Sequence, residues 1–150
     1  MKIRTRSREL AMQALYYMDI QQNNSLENLD LYCNSFSPAK QAIPYLKRLV
    51  NGVKQKKETI DPIIEQFSAN WKISRMACVD RNILRIAIFE LFFCEDIPLK
   101  VSINEAIEVA KKYGSEESGA FINGILDGIR LAMEKNELKL PENQGGKIDY

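Results

Sequence analysis

Basic residues dominate the start of the chain and are the residues best suited to binding chemistry. Four cations lie within the first eight residues: Lys2, Arg4, Arg6 and Arg8. No acidic residue precedes Glu9. Guanidinium groups bind phosphate oxygens through paired hydrogen bonds, so this spacing favours an anionic partner. A solvated chain end is the ordinary alternative for an isolated basic segment, and the spacing alone leaves both interpretations open.

The composition excludes several kinds of catalytic site. The chain has 21 basic and 20 acidic residues and a formal net charge of +1, so any electrostatic function depends on local clustering. It contains no histidine, which excludes Ser-His and Cys-His nucleophile pairs and histidine-based metal sites. Its three cysteines, Cys33, Cys78 and Cys94, match neither a disulfide framework nor a zinc site. Carboxylate or lysine catalysis stays open, but we predict that the protein is not an enzyme and binds no metal or cofactor.

We also expect no membrane segment. The longest apolar stretch, residues 86–94, is interrupted by Glu90 and is far shorter than the ~20 residues that span a bilayer. The basic N-terminus is not followed by the apolar core of a signal peptide. These features predict a cytoplasmic protein.

Hydrophobic periodicity predicts an all-α fold. Apolar residues recur with helical spacing, and no window alternates apolar and polar residues between turn signals as a strand would. The first helix has one apolar side, with Arg4 and Arg8 along one border and Arg6 along the other. Its opposite, polar side carries Lys2, Glu9, Gln13 and Tyr16.

Proline residues and polar breaks divide the next part of the chain. We predict a short segment at 26–36 and a main helix at 44–56. A separate helix is expected at 60–67, with Asp61 as its N-cap immediately before Pro62.

The second half of the chain is predicted to contain the central helix. Residues 76–93 are apolar nearly all round, which is typical of a helix surrounded by other helices. Ser102 and Glu105 form a capping-box pattern that predicts the start of the next helix, and Gly114 marks its end. A last helix is expected at 116–137.

Two stretches of the chain resemble a known family. They read "NWKISRMACVDRNILRIAIFEL" and "PLKVSINEAIEVAKKYGSEESGAFINGILDGI", and "SRELAMQALY" near the start extends the match. In order and spacing they resemble the NusB family of transcription antitermination factors over about residues 4–130. The resemblance implies one all-α domain at 1–140, with a basic arm at 1–8 and two packed three-helix subdomains of about seven helices in total. We expect residues 141–150 to form a flexible polar tail.

The resemblance also implies a function based on binding. Family members bind the boxA element of nascent ribosomal RNA transcripts together with NusE, a ribosomal small-subunit protein. The complex joins the RNA polymerase elongation complex with other Nus factors. Some members form homodimers, and the sequence leaves monomer and homodimer both open.

The arginines at the start of the chain are the first RNA contacts that the resemblance implies. Arg4, Arg6 and Arg8 correspond to the arginine-rich segment that contacts RNA in the family. Guanidinium groups suit this role because they bind phosphates and stack on unpaired bases. Thr5 and Ser7 interleave the arginines here, which makes this segment sparser than the family's usual one.

Four more residues are candidate RNA contacts: Lys2, Gln13, Tyr16 and Phe121. Tyr16 aligns with a tyrosine beside the RNA surface of the family, and Phe121 aligns with a phenylalanine near the RNA path. Either ring could stack on a base, and the alternatives are a half-buried tyrosine and a core phenylalanine. Gln13 could read a base edge or simply belong to the polar helix surface, and Lys2 is a further candidate for phosphate contact.

Charged residues on the predicted central helix have two interpretations. They are Asp80, Arg81, Arg85 and Glu90. Pairing within the protein is the ordinary one. The resemblance places the NusE surface on this half of the molecule, with Asp80 as a candidate contact.

Two functions other than antitermination stay open. One is a protein–protein adaptor of the same fold that lacks the RNA contacts. The other is a NusB-like accessory domain for ribosomal RNA modification, because such domains occur fused to cytosine methyltransferases. We expect no methyltransferase activity, since 150 residues leave no room for a cofactor-binding domain.

Overall fold

The computed structural model describes residues 2–21 and 40–138. The helices are α1 (Ile3–Gln21), α2 (Ile43–Phe67), α3 (Cys78–Phe93), α4 (Leu99–Tyr113) and α5 (Ser118–Glu134), with short 3-10 turns at Lys40–Ala42 and Ile73–Arg75. These residues include no strand, which confirms the all-α prediction. The predicted segment at 26–36 and the predicted tail at 141–150 lie outside the described residues. None of the described helices combines the length and apolarity needed to cross a membrane.

Helix α3 lies at the centre of the described fold. It packs against α1, α2, α4 and α5, and Leu84, Ile88 and Phe89 on it are fully buried. Helices α3, α4 and α5 contact one another as a three-helix bundle, while α1 and α2 pack together on α3. The prediction of a central core helix is therefore confirmed. A Cβ atom at Gly52 of α2 would overlap the ring of Phe89, so this position requires glycine.

The prediction of two helices between residues 44 and 67 is wrong. Helix α2 is continuous through Pro62, although proline inside a helix removes a hydrogen bond and typically costs about 3 kcal/mol. Buried Ile60, Ile63 and Ile64 continue the apolar face across this position, and Pro62 itself is exposed. Asp61 lies inside α2 and therefore does not cap a helix start. Its carboxylate instead accepts hydrogen bonds from the guanidinium of Arg85.

The predicted capping box is also wrong. Helix α4 begins at Leu99, directly after Pro98, so Ser102 lies inside the helix and is buried. No side chain caps this helix start, and Glu105 instead accepts hydrogen bonds from residues of α1. The predicted end is confirmed, since Gly114 follows the last helical residue, Tyr113.

Candidate nucleic-acid interface

The basic arm is part of α1 rather than a segment that precedes it, because the helix begins at Ile3. At about 100° per residue, the helix directs Arg4 and Arg8 to one side and Arg6 to the other, as the sequence predicted. Cations near a helix N-terminus oppose its dipole by about 0.3 to 1 kcal/mol each, and the first turn of α1 has no acidic residue. Carboxylates from α3, α4 and the loop between them supply the compensating charge.

Arg8 is buried in the interior and does not reach the surface. Its side chain is 5% exposed, and its Nε lies 2.9 Å from Oε2 of Glu90. Its Nη1 lies 2.9 Å from Oε1 of Glu105. Burial opposes the charge of Arg8, but Glu90, Tyr45 and Glu105 together outweigh this effect and the pKa of Arg8 is raised. The guanidinium that was predicted to contact RNA is therefore occupied inside the fold, where it joins α1 to α3 and α4.

Tyr45 completes this buried cluster. Its hydroxyl donates a hydrogen bond to Glu90, and the Arg8 guanidinium lies 5.5 Å from the centre of its ring. Burial, together with the negative charge of Glu90, raises the pKa of Tyr45 well above its ordinary range. The tyrosine therefore stays a hydrogen-bond donor at any physiological pH.

Arg4 lies on the same side of α1 but remains half exposed. Its Nη2 is 3.4 Å from Oδ2 of Asp96, and its guanidinium lies 4.7 Å from the centre of the Tyr45 ring. Arg48 binds the same carboxylate at 2.9 Å, and this hydrogen bond lowers the pKa of Asp96 to about 2. An exposed pair of this kind contributes at most about 1 kcal/mol, so a phosphate could displace Arg4 from Asp96.

Arg6 belongs to a different cluster, centred on Glu9. The sequence placed Glu9 on the polar side of the helix, yet Glu9 is only 4% exposed, because α4 packs against this side. Its Oε1 lies 2.9 Å from Nη1 of Arg6, and its Oε2 lies 3.2 Å from Nζ of Lys112 at the end of α4. Burial would raise the pKa of Glu9, but the hydrogen bonds from these two cations lower it overall.

The two small residues between the arginines serve to attach α1. The hydroxyl of Thr5 donates to Oε1 of Glu105 at 2.6 Å, and Ser7 donates to the carbonyl oxygen of Ala42 at 2.8 Å. Ser7 is fully buried. Thr5 and Ser7, which make the segment sparser in arginine, therefore bind α1 to its neighbours.

The remaining candidate RNA residues are spread along α1 and α5. Lys2 is exposed, Gln13 is half-buried and Tyr16 is 41% exposed. The next residue, Tyr17, is also exposed, and the sequence analysis missed it. Two adjacent tyrosines near the end of an amphipathic helix were the signal that could have indicated it.

Phe121 lines a groove between the start of α5 and the segment that enters α3. Trp71, Arg75, Asp80 and Ser118 line the same groove. Phe121 is half-buried against the core, whereas Trp71 is 56% exposed. Sequence analysis did not identify Trp71 as a functional residue, because it lies in a loop without periodicity.

Asp80 differs from the other charged residues of α3. Arg81, Arg85 and Glu90 are paired inside the protein, which confirms the ordinary interpretation for them. Asp80 is 9% exposed, and within residues 2–21 and 40–138 its Oδ1 has no hydrogen-bond partner. A buried carboxylate oxygen without a donor is costly, and this oxygen has almost no solvent-accessible surface of its own.

A second buried network holds the far end of α1. Asp19 accepts from Nε of Arg81 at 3.0 Å and from Nη1 of Arg85 at 2.9 Å. Arg85 also binds Asp61 of α2 at 2.9 Å. Burial alone would raise the pKa of Asp19. Its contacts with Asn82, Arg85 and Arg81 outweigh this effect, so the pKa of Asp19 is lowered. Helix α1 is therefore anchored by ion pairs at both ends.

The comparisons with known proteins agree with this architecture. The NusB family model matches residues 5–130. The transcription antitermination protein NusB of Desulfatibacillum aliphaticivorans is 51% identical over 134 residues, which cover 89% of this chain and 94% of that protein. The solved structure of T. maritima NusB has a TM-score of 0.75 at 37% identity, over 94% of this chain and 95% of that one.

A solved complex also contains a similar chain. The crystal structure of antitermination factors NusB and NusE in complex with dsRNA includes a chain with a TM-score of 0.79 and 32% identity, over 88% of this chain and 98% of that one. The family match, the high identity and the shared fold lead to one assignment. The chain belongs to the NusB family.

Proposed function

We propose that this protein is a transcription antitermination factor that binds boxA RNA of nascent ribosomal RNA transcripts together with NusE. The observation that carries the proposal is the similarity to a chain of the NusB–NusE–dsRNA complex over 88% of the present chain. In this role the protein joins the RNA polymerase elongation complex with other Nus factors.

The exposed part of α1 supports RNA binding. Arg4 and Arg6 have side chains that are 50% and 43% exposed, so both can reach a phosphate. Tyr16 has an accessible ring, and stacking of a base on such a ring typically contributes about 1 to 3 kcal/mol. Lys2 and Gln13 extend this surface, whereas Arg8 acts from the interior by holding the helix in place.

The groove around Asp80 is our proposed contact for NusE. Asp80 lines this groove at the start of α3, where a basic or amide side chain of the partner can contact its carboxylate. Asp80→Asn should weaken NusE binding and leave RNA binding by the protein alone unchanged. An unchanged affinity for NusE would remove Asp80 from the interface.

The proposed activity is binding rather than catalysis. Three buried or partly buried carboxylates are each bound by an arginine: Glu90 by Arg8, and Asp19 and Asp61 by Arg85. These ion pairs join helices to one another and give the three carboxylates a structural role. Incubation with S-adenosylmethionine and ribosomal RNA should yield no methylated product.

A titration of boxA RNA with and without NusE tests the proposal. RNA affinity should fall with salt, with a log–log slope of about 0.7 for each phosphate contact. NusE should increase the affinity for RNA, and a random RNA of equal length should bind more weakly. A salt-independent signal, or equal binding of both RNAs, would overturn the proposal.

A protein–protein adaptor is the second candidate, because internal ion pairs occupy Arg4 and Arg8. The double variant Arg4→Gln/Arg6→Gln separates the two functions. Loss of RNA binding with retained NusE binding supports antitermination, while a wild-type protein that binds NusE but no RNA supports the adaptor. Arg8 is left intact in this test because its loss would disturb the fold.

A further inference from the structure

Glu9 holds two cations from different helices at one point of the surface. Its Oε1 accepts from Arg6 at 2.9 Å and from Lys112 at 3.3 Å, and its Oε2 accepts from Lys112 at 3.2 Å. Arg6 lies in the first turns of α1, and Lys112 lies in the last turn of α4. Since both cationic nitrogens contact the same oxygen, they are close enough for one phosphate group to contact both.

The exposure of the three groups differs in a way that favours an incoming anion. The side chain of Glu9 is 5% exposed, whereas those of Arg6 and Lys112 are 43% and 50% exposed. The carboxylate therefore lies beneath the two cations, and they face solvent. Two cations that share one carboxylate leave an excess of positive charge at the surface, which attracts phosphate.

Glu9 is itself held in place by the protein. The hydroxyl of Tyr113 donates to its Oε1 at 3.2 Å, and the residue is buried where α1 meets α4. A fixed carboxylate orients the long side chains of Arg6 and Lys112, so less conformational entropy is lost when they bind a ligand. Arg8, by contrast, is itself 5% exposed between buried Glu90 and partly buried Glu105, and it presents no cationic surface.

We infer that Arg6 and Lys112 form a two-cation subsite for a backbone phosphate of the RNA, with Glu9 as its positioning residue. The inference rests on the proposed function, since it assumes that the protein binds RNA. It adds Lys112, which no helical pattern connects to the N-terminal arginines. It also assigns an acidic residue a favourable role in binding a polyanion.

Neighbouring lysines provide a matched test. Lys112→Gln and Lys111→Gln remove the same charge from adjacent positions, but Lys111 contacts the exposed Glu108 at 3.5 Å instead of Glu9. RNA affinity is measured by titration of a short, end-labelled boxA RNA at several salt concentrations, with NusE at a fixed saturating concentration. Thermal unfolding of each variant verifies that it is folded.

We expect Lys112→Gln to lower the salt slope by about 0.7, so that a tenfold rise in salt weakens its binding about fivefold less than that of the wild type. Lys111→Gln should keep the wild-type slope, and Lys112→Arg should retain it as well. Equal slopes for Lys112→Gln, Lys111→Gln and wild type would overturn the inference while leaving the proposed function intact. A wild-type protein without salt-dependent RNA binding would overturn both.

Glu9→Gln tests the positioning role separately. General electrostatics predicts tighter RNA binding when a negative charge is removed. The positioning role predicts weaker binding, because a neutral amide cannot hold two cations together. Tighter binding by Glu9→Gln would show that Glu9 competes with RNA and would overturn its positioning role.

Discussion

Arg6 and Arg8 are two residues apart in α1, yet they occupy opposite environments. The Arg8 side chain is 5% exposed and lies between Glu90 and Glu105, whereas the Arg6 side chain is 43% exposed and shares Glu9 with Lys112. A buried ion pair stabilises the fold only as a complete unit, since removal of one partner leaves an uncompensated charge. A half-exposed arginine whose carboxylate keeps a second cation contributes less to stability and can exchange its partner for a ligand. Arginine therefore stabilises the fold at position 8 and is available for ligand binding at position 6.

Arg8→Met should have the largest effect on stability. It leaves Glu90, which is 1% exposed, without its cation, and such a loss typically costs about 3 to 5 kcal/mol. Urea unfolding measures the free energy of unfolding, and Arg6→Met is the matched control with an expected loss below about 1 kcal/mol. An equal loss of unfolding free energy in the two variants would contradict the proposed difference between the two arginines.

Asp61→Asn should have an intermediate effect. Arg85 loses one charged partner but keeps Asp19 at 2.9 Å, so its buried charge stays compensated. A hydrogen bond to a charged group typically contributes about 1.5 to 3 kcal/mol, and the loss should lie in this range. The double variant Asp19→Asn/Asp61→Asn should lose more than the sum of the single losses, because it leaves Arg85 without any anion. Strict additivity in urea unfolding would contradict this coupling.

Acid should weaken the surface attachment of Arg4 and Arg48. The pKa of Asp96 is lowered to about 2 in the folded protein, below its ordinary value of 3.8. This contribution to stability is therefore complete above about pH 4 and is lost as the pH falls towards 2. Asp96→Asn should lose less stability over this interval than the wild type, as measured by thermal unfolding at each pH. Parallel pH profiles would show that Asp96 contributes nothing.

Arg6→Gln should have the smallest effect on stability and a clear effect on RNA. Its loss of folding free energy should stay below about 1 kcal/mol, since the side chain is nearly half exposed. The salt slope for boxA RNA should fall by about 0.7 as one phosphate contact is lost. An unchanged slope in a folded variant would exclude Arg6 from the RNA surface.

Much of the architecture could be predicted from the sequence because helical periodicity is a local property. The spacing of apolar residues identified α3 as the central helix and divided Arg4 and Arg8 from Arg6. The same reasoning failed at Pro62 and at Ser102, where local signals predicted helix starts. Burial of Ile60, Ile63 and Ile64 overrides the proline, and Ser102 is already inside a helix that begins after Pro98.

The candidate site was only partly predictable, since its partners are distant in sequence. The sequence alone determined an all-α protein with a basic, amphipathic first helix. Only the tertiary structure decided that Arg8 pairs with Glu90, 82 residues away, and that Glu9 contacts Lys112, 103 residues away. The physical reason is that a helical pattern specifies which side of a helix a residue occupies, whereas burial and pairing depend on which other helix packs against that side.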